Sequence, residues 1–153
     1  MNISDRLAEL GITLPQAMAP VANYLPVSIA NNMVTVSGQL PAISGKVAVT
    51  GKLGASVSLE EGQHAARLCL INVLSQLQAA LPSGLESITK VVRLGGFIAC
   101  TPEFTQHAVV MNGASDLMVA VFGEIGRHAR STVGVPSLPL DAAVEVEGQF
   151  YIG

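Results

Sequence analysis

One helix in the middle of the chain constrains the fold more than any other segment. Ser58 stands three residues before Glu61, the spacing of a capping box, in which each side chain accepts a hydrogen bond from the other residue's backbone N–H. Leu81-Pro82-Ser83-Gly84 predicts where this helix ends. A helix with one apolar face has to pack that face against another layer of structure. The apolar residues at helical spacing are Ala66, Leu70, Val73 and Leu77.

Stretches rich in β-branched residues on both sides of this helix predict the strands of that layer. Further helices are predicted over residues 4–10, with Ser4 as the N-cap, and over Gly113–Ile125. The order α, ββ, α, β, α, ββ predicts one α+β domain over residues 1–153, with two helices packed on one face of a mixed sheet. Residues 1–20 are its N-terminal helix and extended lead-in. The predicted strands are Val27–Ile29, Met33–Ser37, a short stretch near Val47–Val49, Ile88–Cys100, Arg130–Val135 and Ala143–Ile152.

The chain carries few charges for its size. Of its 153 residues 12% are charged and 50% are hydrophobic, whereas the usual charged share is roughly 25%. This composition excludes a disordered chain. Because so few charges cover the surface of a soluble monomer poorly, we expect a homo-oligomer with an apolar interface. A monomer with a merely neutral surface is the alternative.

Several partners and compartments are disfavoured by the same composition. Lys and Arg number 8 against 11 Asp and Glu, with no basic run, which argues against nucleic acid as a partner. We expect no apolar stretch to reach the roughly 20 residues that cross a bilayer, and the start lacks a signal-peptide pattern. Isolated Cys69 and Cys100 suit buried thiols in the cytoplasm. His64, His107 and His128 share no metal-ligand spacing, so no metal is assigned.

The last two predicted strands carry the residues best suited to chemistry. Side chains alternate along a strand, so Arg130 and Thr132 share one face of theirs, and Glu145 and Glu147 share one face of the next. A guanidinium and a carboxylate on neighbouring strands could face one cleft, where the first holds a substrate carboxylate and the second moves a proton. The alternative is an Arg–Glu ion pair across a solvated sheet face, and spacing alone favours it.

Several motifs resemble those of the RidA/YjgF family, and together they cover most of residues 20–151. The pattern also resembles the longer branch of that family, described as YjgF/chorismate-mutase-like or endoribonuclease L-PSP, in segments such as Arg93-Leu94-Gly95-Gly96-Phe97. The motifs are Val36-Ser37-Gly38-Gln39-Leu40-Pro41, Asn72-Val73-Leu74, Gly126-Arg127-His128-Ala129-Arg130-Ser131-Thr132-Val133, Leu138-Pro139 and Val144-Glu145-Val146-Glu147.

The resemblance implies a chorismate-mutase-like fold and a homotrimer whose sheets close into a barrel, with ligand clefts between subunits. It implies hydrolysis of 2-imino and enamine acids to 2-oxo acids and ammonia, with no cofactor. In that scheme Arg130 holds the substrate carboxylate and Glu145 positions the attacking water. The other substrate-binding positions that it implies are Tyr24, Ser37, Gly38, Asn112 and Thr132, the last through its backbone N–H.

The chain departs from the family pattern in two segments of the cleft wall. Ala22-Asn23-Tyr24-Leu25-Pro26 lacks the Gln that follows the Tyr in the family, and Thr101–Asn112 is longer than in compact members. Both changes leave the substrate open. The alternative function is a non-catalytic protein that binds a small carboxylate metabolite in the same cleft. An endoribonuclease comes third, because the chain has no basic stripe and only 4 Phe and 2 Tyr.

Overall fold

The middle helix forms as its sequence predicts. The computed structural model describes residues 2–18 and 23–153, and in it helix α2 spans Leu59–Ala80. The Glu61 N–H donates to Ser58 Oγ at 3.1 Å, and the Ser58 N–H donates to Glu61 Oε1 at 3.0 Å. All four apolar positions predicted for this helix are fully buried. The capping box therefore fixes where α2 begins, and its apolar face packs against the sheet.

The strands form one mixed sheet, in the order β1-β2-β7-β5-β6. Its neighbours pair antiparallel except β5 and β6, which are parallel. Two short strands, β3 and β4, form a separate pair. The predicted α+β class with a mixed sheet is confirmed. The strands are β1 (Val27–Ala30), β2 (Met33–Gln39), β3 (Ala42–Ile43), β4 (Lys46–Val47), β5 (Lys90–Ala99), β6 (Ala129–Val135) and β7 (Val144–Tyr151).

Chain order predicts that the last two strands, β6 and β7, are neighbours in the sheet. The structure shows that they are not. β5 lies between β6 and β7 and pairs with both of them. The connection from β5 to β6 runs through helix α3 (His107–Phe122), and such a crossover returns the chain parallel to the strand it left. Prediction from chain order was therefore wrong here, because the partner of each strand is decided by this crossover.

The helices cover one face of the sheet. Buried and partly exposed residues alternate along β7, and its buried set faces the core together with residues of β2 and β5. No helix of the described residues covers the opposite face. The core-facing side chains include Val34, Val36, Leu94, Ile98, Val144, Val146 and Phe150. The opposite face carries Arg93, Phe97, Glu145, Glu147 and Gln149.

Helix α3 begins at His107, six residues before the predicted start at Gly113. Its N-cap Gln106 makes no side-chain capping bond, so the sequence carries no start signal there. Residues His107–Gly126 are long and apolar enough to cross a membrane, contrary to the expectation that no stretch has this length. Because Val110, Met111, Ala114, Leu117, Met118, Val121 and Phe122 are buried against the rest of the chain, α3 packs as a core helix.

The N-terminal segment is confirmed in part. Helix α1 covers Ile3–Glu9, and its N-cap is Asn2, whose side chain accepts from the Asp5 N–H, rather than Ser4. Residues 1 and 19–22 lie outside the described residues. They include Pro20 of the predicted lead-in and Ala22 of the altered cleft segment.

The two cysteines form no disulfide. Cys69 is buried on α2, and its thiol donates to the Val144 carbonyl oxygen at 3.4 Å. Burial first, and the nearby Glu145 carboxylate second, hold the pKa of this thiol well above its usual range. The expected buried, structural thiol is therefore confirmed for Cys69, while Cys100 is partly exposed.

Helices α2 and α3 approach closely at Gly113, where a Cβ atom would lie 2.8 Å from the Gln63 carbonyl carbon. Gly113→Ala is expected to lower the free energy of unfolding by about 1–3 kcal/mol, because backbone cannot move aside as a side chain can. Urea unfolding measures this change. Gly38→Ala is the matched control, since its Cβ would meet the end of the flexible Glu145 side chain. Equal losses in the two variants would contradict this packing.

Candidate functional site

Arg130 lies on β6, an edge strand, and turns towards α3. Its register partner on β5 is Leu94, which is buried under the helices, so Arg130 faces the helix side of the sheet. Arg130 Nη1 donates to Asn112 Oδ1 at 2.9 Å and to Ser115 Oγ at 3.0 Å, and Nη2 donates to the Ala108 carbonyl at 3.3 Å. The structure thus brings together two of the predicted site residues, Arg130 and Asn112.

These contacts leave part of the guanidinium available to a ligand. Of its five N–H groups, α3 engages both on Nη1 and one on Nη2. The Nε–H and the second Nη2–H have no acceptor among the described residues. Nε and Nη2 form one edge of the planar guanidinium, and such an edge binds the two oxygens of a carboxylate through parallel hydrogen bonds.

Ser115 and His128 complete the surroundings of Arg130. His128 Nε2 lies 2.9 Å from Ser115 Oγ, and His128 Nδ1 lies 2.6 Å from the Gly126 carbonyl oxygen. With Asn112 and Arg130 they line a shallow groove of about 280 Å³. Sequence reasoning missed Ser115, although its spacing of three from Asn112 places both on one helix face. His128, the residue before β6, lines this groove as well.

Glu145 lies on β7 and faces the other side of the sheet, in register with Phe97 of β5. The pairing of β2 with β7 shifts between Val36 and Gln39, which is a β-bulge. The bulge brings Gly38 against the Glu145 carboxyl group, and a Cβ at Gly38 would lie 2.9 Å from Glu145 Cδ. Two more of the predicted residues, Gly38 and Glu145, are therefore in contact, and a Cβ at position 38 would require the carboxyl group to shift.

The environment of Glu145 disfavours its ionised form. Burial raises the pKa of this carboxyl group, and the charge of Glu147, two residues along the same face, raises it further. Glu147 itself pairs with Arg93 across β5 and β7, with 3.3 Å between Nη1 and Oε2. Arg93 and Glu147 therefore form a cross-strand ion pair on the face of the sheet that also carries Glu145. A half-buried carboxyl group with a raised pKa is suited to exchange protons closer to neutral pH.

Ser37 and Tyr24 shape the wall next to Gly38. Ser37 Oγ donates to the Leu25 carbonyl at 2.7 Å, and the Ser37 N–H donates to the Pro26 carbonyl at 2.9 Å. These bonds hold the segment after Tyr24 against β2. Because the Ser37 hydroxyl proton is engaged, a ligand could meet only the oxygen lone pairs. Tyr24 and Gly38 line one cavity of about 220 Å³.

Thr132 lies two residues beyond Arg130 on the same face of β6. Its Oγ1 is buried and has no hydrogen-bond partner among the described residues. Along an edge strand alternate backbone N–H groups point away from the sheet. The structure therefore places Thr132 beside Arg130 on an edge strand. On the free side of this strand, backbone N–H groups have no strand of the described residues to pair with.

Two of the three histidines, His107 and His128, contact polar atoms of the protein. His107 Nε2 lies 3.6 Å from Cys100 Sγ, and both ring nitrogens of His128 are within hydrogen-bonding distance of protein oxygens. Within residues 2–18 and 23–153, no three His, Cys, Asp or Glu side chains cluster closely enough to hold a metal ion.

Arg130 and Glu145 do not meet within one chain. They face opposite sides of the sheet, and β5 separates their strands. The expectation that both face one cleft from neighbouring strands is therefore wrong for a single chain, and so is an ion pair between Arg130 and a Glu of the last strand. Arg130 lies on the β6 edge of the sheet, whereas Glu145 lies beside β2, towards the β1 edge.

The raised pKa of Glu145 has a consequence for stability. A folded-state pKa above the unfolded value favours folding at low pH, and this gain is lost as the pH rises through the folded pKa. Glu145→Gln cannot ionise, so we expect it to stabilise the protein relative to wild type at about pH 7, and less so towards about pH 4. Urea unfolding at several pH values measures this difference. A destabilised variant at pH 7 would contradict the assigned environment.

Comparisons with known proteins agree with this architecture. The family described as "YjgF/chorismate mutase-like, putative endoribonuclease" matches residues 4–148. The chain is 49% identical to Protein TCP17 of Trypanosoma cruzi over 147 residues, which are 95% of this chain and 91% of that protein.

Two solved structures are similar over nearly the whole chain. The protein Atu1372 of Agrobacterium tumefaciens, described as having unknown function, is 49% identical with a TM-score of 0.90, over 98% of this chain and 91% of that one. A protein of Shewanella oneidensis described as a putative endoribonuclease is 34% identical with a TM-score of 0.94, over 99% of each chain. The chain therefore belongs to the YjgF/chorismate-mutase-like family, the RidA/YjgF family that its motifs resemble.

Proposed function

We propose that this protein hydrolyses 2-imino and enamine acids to 2-oxo acids and ammonia, without a cofactor, at a site shared between subunits. The observation that carries the proposal is that the chain holds two separate half-sites, each of which is incomplete. Arg130 has two N–H groups left for a carboxylate, and Glu145 is a half-buried carboxyl group with a raised pKa. Each half-site supplies what the other lacks for this reaction.

The positions of the half-sites support a homotrimer. They lie towards opposite edges of the sheet, so a site that contains both requires the β6 edge of one subunit to meet the β1–β2 edge of the next. Such head-to-tail contacts form a closed ring when the rotation between neighbouring subunits closes, and a trimer is the smallest ring of this kind. The uncovered face of the sheet would then line the interior. Exposed apolar side chains near these edges, Ile29 and Val133, fit an interface of this kind.

The chemistry needs little from the protein because a protonated imine is already electrophilic. Arg130 holds the substrate carboxylate, which fixes C2 of the substrate near Glu145 of the neighbouring subunit. Water attacks C2 and gives a proton to Glu145 as the C–O bond forms and the C=N π bond breaks. Glu145 then passes this proton to the nitrogen and takes the hydroxyl proton as the C–N bond breaks and the C=O bond forms. The 2-oxo acid and ammonia are released, and the proton left on Glu145 goes to ammonia or water, which regenerates the carboxylate. An enamine first takes a proton at carbon to become the imine.

A second candidate is a non-catalytic protein that binds a small carboxylate metabolite. Arg130 favours it, because its three contacts to α3 hold the guanidinium ready without any contribution from Glu145. The endoribonuclease of the family description has less support, since a net charge of −3 provides no electrostatic footprint for RNA. For either small-molecule function we propose the cytoplasm as the compartment, in keeping with two unpaired cysteines.

Arg130→Ala and Glu145→Gln are expected to affect turnover differently. Arg130→Ala should raise KM by about 10- to 100-fold through lost charge-assisted hydrogen bonds. Glu145→Gln should lower kcat by about 100-fold or more while ligand affinity survives. An amino-acid oxidase generates the imino acids in situ, semicarbazide traps them, and 2-oxo acid formation is followed. Arg67→Ala and Glu60→Gln on α2 are the matched controls. No acceleration by folded wild-type oligomer would shift the assignment to the binding protein.

Mixing the two impaired variants, with activity measured well below the KM of wild type, tests whether the site is shared. In a mixed trimer, an Arg130→Ala subunit still offers Glu145, and a Glu145→Gln subunit still offers Arg130. Random reassembly of equal amounts should restore about a quarter of wild-type activity, because one interface in four then combines two intact halves. Light scattering checks that the mixtures are trimers. Absence of recovery in properly mixed trimers would contradict a site between subunits.

A further inference from the structure

A chain of hydrogen bonds runs from Arg130 through Ser115 to His128. It comprises Arg130 Nη1 to Ser115 Oγ at 3.0 Å, Ser115 Oγ to His128 Nε2 at 2.9 Å, and His128 Nδ1 to the Gly126 carbonyl at 2.6 Å. We propose that Ser115 and His128 are positioning residues, which orient Arg130 so that its Nε–Nη2 edge faces a carboxylate. This inference rests on the proposed carboxylate-binding role of Arg130.

The direction of every bond in this chain follows from what each atom can do. A carbonyl oxygen only accepts, so His128 Nδ1 carries the proton that points to Gly126. In the neutral ring Nε2 then has a lone pair and accepts the Ser115 hydroxyl proton. Arginine only donates, so Ser115 Oγ accepts from Nη1. His128 therefore turns the Ser115 hydroxyl proton away from Arg130, so that the lone pairs of Ser115 Oγ face Arg130.

A comparison with another helical serine shows that this arrangement is specific. Ser75 on α2 donates to the Ile71 carbonyl four residues earlier, at 3.0 Å, which is the usual bond of a serine within a helix. Ser115 makes its hydrogen bonds to residues on and before β6 instead. It thus links α3 to the strand that carries Arg130.

Asn112 and Ser115 act together because they stand one helical turn apart. Both accept from Nη1, and the two acceptors occupy both of its N–H groups. A carboxylate can then bind only along the opposite edge, through Nε and Nη2. Loss of Ser115 Oγ would leave an Nη1–H without an acceptor and allow the guanidinium plane to rotate, which weakens bidentate binding.

The test measures binding of 2-oxobutanoate, a 2-oxo acid with a carboxylate and no imine, by titration calorimetry. Ser115→Ala and His128→Asn should weaken binding by about 3- to 10-fold. The Asn side chain can still donate to Gly126, but it is too short to place an acceptor at the position of His128 Nε2, where Ser115 donates. Ser115→Thr keeps the hydroxyl group, and His128→Gln keeps an acceptor for it, so both should retain most of the affinity. In the imine assay the weakened variants should raise KM and leave kcat nearly unchanged.

A second background separates positioning from a general effect on the fold. Arg130→Lys keeps the charge but has no planar fork. In this background Ser115→Ala should cause no further loss of 2-oxobutanoate affinity, because the orientation that it maintains is already absent. A further loss of affinity as large as the one that Ser115→Ala causes in the wild-type background would overturn the inference.

Failure of the inference and failure of the proposed function give different results. If wild type binds 2-oxobutanoate and Arg130→Ala does not, while Ser115→Ala and His128→Asn bind like wild type, the positioning role is wrong and the carboxylate site stands. If wild type neither binds 2-oxobutanoate nor accelerates imine hydrolysis, the proposed function fails, and the positioning role fails with it.

Discussion

The hydrogen bonding of β5 to two different strands governs the rest of this structure. β5 pairs in parallel with β6 and antiparallel with β7, so the strands that carry Arg130 and Glu145 lie on either side of it. The crossover through α3 that makes β6 parallel also brings the helix over Arg130. One topological choice therefore separates the two charged groups and gives the guanidinium its acceptors on α3.

The two half-sites are built by different means. Around Arg130, hydrogen bonds from a rigid helix hold a permanently charged group, and its orientation matters more than its pKa. Around Glu145, a β-bulge and a glycine bring backbone close to a titratable group and remove it from water. This difference suits their proposed tasks, because binding a carboxylate needs geometry and moving a proton needs an accessible pKa.

Local signals in the sequence were sufficient for the parts of the fold that local contacts determine. The capping box at Ser58 predicted the start of α2 because both partners lie within one helical turn. Alternation along β7 predicted correctly that Glu145 and Glu147 share a face. Gln106 makes no side-chain capping bond at the start of α3, so the predicted start lies too far along the chain. The place of β5, and hence the separation of Arg130 from Glu145, depends on contacts between residues far apart in sequence.

The reactivity of the Cys69 thiol can be used to measure opening of the core layer beneath the candidate site. Its thiol is fully buried between α2 and β7, and it donates to the carbonyl of Val144, the residue before Glu145. A thiol reagent can reach it only when the helix separates from that strand. The rate of Cys69 alkylation therefore reports how often this part of the core opens, with partly exposed Cys100 as an internal reference in the same chain.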